Sequence, residues 1–234
     1  MRLEASFSAI AGLVFLTLMH VDWQQPPEFA AQPHGDIEAV ANEPIEPGLD
    51  DAGGITRCRS SARLVETIKH YDFFGTRERD ADRSFRQRLL VSQDFSGRTK
   101  TFAGQSDWYV DWAPCLEPRG AGCRLGGVSA VAYVTYTLPR WADRNFAVEQ
   151  VGARWDRYAT NLLAHERGHG AVALEVARRF EVELVGLVDM ERCEDVTDEA
   201  ARRVDAIIRH GETMQNEYDR VTEHGSTQGA VFPF

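Results

Sequence analysis

Beyond residue 55, apolar and polar positions along the chain change period several times, and each change marks an element. The stretch 63 to 74, RLVETIKHYDFF, mixes β-branched and aromatic residues and stops at Gly75, which predicts a strand. In DADRSFRQRLLVSQ, residues 80 to 93, Phe85, Leu89 and Leu90 lie at helical spacing behind acidic residues suited to a helix start, so a helix is expected there. After Gly97 come TKTFAGQSDWYVDW and, past the turn-rich PRGAGCRLGG, the run VSAVAYVTYTL that stops at Pro139. These predict two strands, adjacent in one sheet. From about Arg144 to Val188 the period is helical, with Trp155, Leu162, Val172, Val176, Phe180 and Leu184 on apolar positions and no proline. A second helix is expected from Thr197, as its N-cap, to about Tyr218. The fold class is therefore α+β: a small sheet, one helix from the first half, and a long helical hairpin.

The first 56 residues follow other rules. Arg2 and Glu4 precede an uncharged run from Ala5 to Val21, which reads as an export signal over residues 1–21. As a helix its length would be roughly 26 Å, a little under the ~30 Å of bilayer hydrocarbon, so a cleaved signal peptide and a retained membrane anchor are both open. The first clean small-x-small site, Ala39-Val40-Ala41, lies far downstream, which favours a retained anchor. Residues 22–56 hold five of the nine prolines and eight carboxylates with no Lys or Arg, and are expected to form a disordered acidic tether. The domain expected to fold is 57–234.

Charge changes its meaning once it is mapped. The formal charge of -10 resides mostly in that tether, leaving about -2 on residues 57 to 234. No basic patch interleaved with aromatics is visible, so nucleic acid is excluded as a partner. Cys58, Cys115, Cys123 and Cys193 form no C-x-x-C pair, which argues against a cysteine zinc site. An even number of cysteines in an exported chain points to two disulfides.

The chemistry lies in NLLAHERGHGAVALE, residues 161 to 175. His165 and His169, four apart on a helix, share a face and can reach one cation, for which Zn2+ is the expected ion. Glu166, turned by about 100°, is suited to a water on the metal rather than to the metal itself. It is the expected general base, taking the proton of a water whose pKa the metal lowers. Gly168 and Gly170 each cost about 1 kcal/mol in a helix relative to Ala, which marks close approach by another segment. The variant H-E-x-x-H-x-x-G-x-x-H is excluded, since positions 172 and 175 are Val172 and Glu175. Glu191 and Glu194 remain formal candidates for a third ligand.

The segments TLPRW (137 to 141), W-D-R-Y (155 to 158), HERGH (165 to 169), an isolated Cys193 and the ending YDRVTEHGSTQGA (218 to 230) together resemble a bacterial family of predicted secreted zinc-dependent proteases, long catalogued as a domain of unknown function. The resemblance covers roughly residues 57 to 232, and Y-D-x-x-T-x-H-G-x-x-Q-G is its more distinctive mark. It implies a zincin-like fold, in which a small sheet with antiparallel strands packs on a long active-site helix and an antiparallel return helix. It also implies a pair between Cys123 and Cys193, leaving Cys58 and Cys115 to pair by elimination.

The third zinc ligand expected from the resemblance and from helix lengths is His224. Nineteen helical residues beyond His169 carry the chain roughly 28 Å away. A return helix of similar length from Thr197 brings residues 218 to 225 back beside the histidines and strands Glu191 and Glu194 at the far end. Asp219 is the runner-up as ligand, and Tyr218 is expected to donate a hydrogen bond to a developing oxyanion. The expected function is a zinc-dependent peptidase of the cell envelope, on its periplasmic or extracellular face, acting on a peptide or protein substrate. The alternatives are a non-catalytic metal-binding envelope module and a cell-wall peptide amidase with the same metal chemistry. Glu166 favours catalysis, because a purely structural zinc site needs no carboxylate beside the metal's water.

Overall fold

A computed structural model describes residues 58–93, 99–185, 187 and 189–234. The expected export signal, 1–21, and acidic tether, 22–56, lie outside the described residues. Strand β1 (Ser61–Phe73) is followed by helix α1 (Glu78–Arg86), the short strands β2 (Leu90–Gln93) and β3 (Thr99–Phe102), and the long strands β4 (Gln105–Arg119) and β5 (Gly122–Trp141). Two helices close the chain, α2 (Glu149–Leu184) and α3 (Cys193–Thr222). The class is α+β, as expected.

The main sheet has the order β1-β5-β4, with β4 and β5 antiparallel and β1 parallel to β5. β5 is central, and its inward positions are apolar: Val128, Ala130, Ala132, Val134, Tyr136 and Leu138 are all buried. Trp112, Val110 and Trp108 stand opposite Ala130, Ala132 and Val134 in register, and Trp112 meets Phe180 of α2 with ring centroids 6.3 Å apart. α2 covers this face through Trp155, Tyr158, Leu162, Ala173, Val176, Ala177, Phe180 and Leu184, a stripe with helical spacing. Each large side chain of the stripe contributes about 1.5–3 kcal/mol by leaving water. α3 lies against α2 through Val196, Ala200, Val204 and Ile207.

Several boundaries differ from expectation. The helix expected over 80–93 ends at Arg86: Phe85 packs face to face on Phe232 at 4.0 Å, while Leu90 and Val91 pair with Phe102 and Thr101 instead of continuing the helix. Ladder pairing overrides a helical spacing that only three residues carried. The run from Thr99 to Trp112 is broken at Ala103 and Gly104, where the chain leaves the β2–β3 pair and enters the main sheet. β5 continues through Pro139 to Trp141, paired with β1 as far as Phe73–Trp141, although the β4 ladder stops at Gln105–Thr137. Thr197 is not the N-cap of α3, which begins four residues earlier; its hydroxyl donates back to the Cys193 carbonyl.

Cys123 pairs with Cys193 and Cys58 with Cys115. Two disulfides belong to a chain that matures in an oxidising compartment, extracellular or periplasmic. Among the described residues no helix is long and apolar enough to cross a membrane.

Candidate metal centre

The middle of α2 and the end of α3 meet where the two helices cross the start of β4. His165 Nε2 lies 3.3 Å, and His169 Nε2 3.1 Å, from the same oxygen, Oδ1 of Asp219. These three residues form a group able to hold a metal ion, with ligand atoms all within 4.8 Å of one another. The two N–O separations are those of imidazole–carboxylate hydrogen bonds, and they leave the three ligand atoms close enough for one ion to draw them together. The donor set therefore fits a borderline divalent ion.

Charge within the group is tightly linked. Burial alone would raise the Asp219 carboxyl, yet the bonds from both imidazoles hold it well below the usual carboxylate range. Burial works against a charged His169, but Asp219 and Gln215 outweigh it and leave its pKa raised. Glu166, only 4 % exposed, has its carboxyl pushed up by burial, opposed by a bond from the Ser106 hydroxyl. That bond, 2.6 Å to Oε2, pins the carboxylate to the start of β4, and a side chain at Gly104 would occupy the same space.

His224 stands next to this group but outside it. Its Nδ1 is 3.4 Å from Asp219 Oδ2, the oxygen turned away from the other histidines, and its side chain is 51 % exposed. The third donor brought to His165 and His169 is thus Asp219, the runner-up, and the expected ligand His224 contacts that donor's far oxygen. The cause is local: α3 is helical through Thr222, so Asp219 sits on its inner face, while Glu223 and His224 take left-handed backbone angles as the chain turns away. Tyr218 is present as expected, but its hydroxyl donates to the His165 carbonyl at 3.1 Å and its ring stacks on the His165 imidazole at 5.1 Å. The same hydroxyl lies 3.4 Å from the Gln228 amide oxygen. Glu191 and Glu194 are exposed at the far end of the helical pair, with Glu194 bound to Arg192. Both helical glycines admit a visitor: the Tyr218 hydroxyl occupies the place of a Cβ at Gly168, and the Tyr136 hydroxyl does so at Gly170.

Three supporting residues were not foreseen in a role. Ser106, Gln215 and Gln228 are each hydrogen-bonded to the motif, yet lie 60, 46 and 63 residues from their partners in the chain. Only Gln228 carried a signal, as the final glutamine of the C-terminal motif.

A family model described as a bacterial protein of unknown function, DUF922, matches residues 68–225. The chain belongs to this family. The part that matches DUF922 contains His165, Glu166, His169, Asp219 and His224, and it ends before Gln228. No curated protein and no solved structure matches the chain.

Proposed function

We propose that this DUF922 protein is a zinc-dependent peptidase with a zincin-like active site, acting in the cell envelope. One observation carries the reading: two imidazoles spaced as H-E-x-x-H converge on a single carboxylate oxygen at 3.3 and 3.1 Å, with a buried glutamate on the same turn of helix. His165, His169 and Asp219 would hold the ion. Bound there, zinc supplies Lewis acidity, lowering the pKa of water and polarising a carbonyl.

The chain's own residues do the rest. Glu166 receives the proton of the attacking water and passes it to the leaving amine, so that one water is consumed and an acid and an amine are formed. Ser106 and the space at Gly104 hold the carboxylate in one orientation during both transfers. The disulfides and the uncharged segment 5–21 support location at the periplasmic or extracellular face, tethered through that segment or released from it.

The test is metal content together with hydrolysis of a peptide library by the full chain, measured beside Glu166→Gln. The expected result is about one zinc per chain in both proteins and turnover lowered at least ~100-fold in the variant. Absence of zinc, or unchanged turnover in Glu166→Gln, overturns the reading.

A further inference from the structure

The two glutamines beside the histidines are fixed in orientation, and the fixing begins at main-chain carbonyls, which can only accept. Gln215 Nε2 donates to the His169 carbonyl oxygen at 3.0 Å. Its amide oxygen must then be the atom facing His169 Nδ1 at 2.6 Å, and that nitrogen must carry the hydrogen. At His165 the chain is one member longer. The Tyr218 hydroxyl has two acceptors in reach, the His165 carbonyl at 3.1 Å and the Gln228 amide oxygen at 3.4 Å; its one proton goes to the nearer, so its oxygen accepts from Gln228 Nε2 at 3.1 Å. The Gln228 oxygen is thereby turned to His165 Nδ1 at 2.9 Å, and again Nδ1 carries the hydrogen.

We propose that the carbonyls of His165 and His169 dictate, through Tyr218–Gln228 and Gln215, which nitrogen of their own imidazole is left bare for a metal, making Tyr218, Gln228 and Gln215 positioning residues of the centre. In both rings that atom is Nε2, here hydrogen-bonded to Asp219 Oδ1, so an ion would bind in place of the Nε2 proton. A helical carbonyl already accepts from the residue four places on, so each relay uses its second lone pair. Gly168 is the condition for the first relay, since the Tyr218 hydroxyl reaches the carbonyl through the space where any other residue would carry a Cβ. This accounts for a glycine held inside a helix at a cost of about 1 kcal/mol. It also gives the last glutamine of the C-terminal motif a task that metal ligation and proton transfer leave unassigned. Because both outer partners are neutral amides, neither imidazole gains anionic character, and Asp219 is the only negative ligand among the three.

The inference rests on the metal-site reading and deepens it, so its test is the affinity for zinc, without reference to hydrolysis. Zinc binding to the full chain is measured by competition with a chromophoric chelator for the wild type, Tyr218→Phe, Gln228→Leu, Gln215→Leu, Gly168→Ala and Gln228→Glu. The first four variants are expected to bind about 10- to 100-fold more weakly. Gln228→Glu, which keeps an acceptor for Nδ1–H and accepts the Tyr218 proton instead of donating to it, is expected to bind zinc at least as tightly as wild type, a rescue that a merely structural role does not provide. In the zinc-loaded wild type the imidazole Nδ1 proton of His165 should give a slowly exchanging NMR signal that Gln228→Leu loses. Should a variant fold poorly, Gly168→Ala displaces the hydroxyl while keeping it in the chain. Equal affinity in wild type, Tyr218→Phe and Gln228→Leu overturns the relay and leaves the peptidase reading intact. Loss of turnover in Tyr218→Phe at unchanged affinity overturns it too, and returns the hydroxyl to the substrate. A wild type that takes up no zinc overturns both.

Discussion

Asp219 offers one oxygen to His165 and His169 and the other to His224, so a single carboxylate joins three imidazoles. As the proposed ligand Asp219 would contribute both charge and position, whereas His224 would act on the centre only through it. Asp219→Ala is therefore expected to lower zinc affinity more than His224→Ala, for which about 10- to 100-fold is the range for an outer partner. Competition titration checks this, and the opposite order would make His224 the ligand. Glu191→Ala and Glu194→Ala should leave affinity unchanged, since both lie at the distant turn. Ser106→Ala removes the hydroxyl bond to Glu166 and should cost about 1 kcal/mol of transition-state stabilisation, read as a several-fold loss in kcat with KM nearly constant. His165, Glu166 and His169 were legible in the sequence because one turn of helix fixes their relation. Ser106 and Gln215 were not, because a single polar residue leaves no local signature of a partner tens of positions away. Choosing between Asp219 and His224 required knowing where α3 ends, and a boundary shift of a few residues decides which side chain faces inward.

Elements with a strong apolar period were the easiest to read: α2, α3 and the β4–β5 pair fall close to where the pattern put them. The boundary at Arg86 and the extension of β5 past Pro139 depend on which neighbour each strand finds. The parallel pairing of β1 with β5 was likewise invisible, since the side-chain pattern of β1 serves either direction. Gly170 illustrates how an element is tuned by what crosses it. Tyr136 is fully buried, and its hydroxyl occupies the Cβ position while donating to Glu66 at 2.7 Å. Gly170→Ala gains about 1 kcal/mol of helix propensity but forces that ring to move, an overpacking cost of about 1–3 kcal/mol. Net destabilisation is expected in urea unfolding; a more stable variant would show that Tyr136 yields freely.

Across the whole domain, the two ends of the α2–α3 pair are fastened differently. At one end the candidate ligands face each other; at the other, Cys193 is bonded to Cys123, and Met190 pairs with Cys123 through both main-chain bonds, at 2.8 and 2.9 Å. That disulfide closes a separation of 70 residues, and replacing both cysteines by serine should cost about 2–4 kcal/mol in thermal or urea unfolding of the metal-free protein. Unchanged stability would mean that the Met190 pairing alone holds the turn. The pairing of Cys123 with Cys193 was legible through the resemblance, and that of Cys58 with Cys115 only as the remainder, because spacing alone does not specify connectivity. The distant fastening also bears on the candidate centre. Asp219 reaches the two histidines as a tethered group, and its effective concentration beside them depends on how tightly the far turn restrains the return helix. Cutting the tether at Cys193 dilutes that carboxylate without touching any ligand, so the variant with Cys123 and Cys193 replaced by serine should lose zinc to a chelator faster than the wild type.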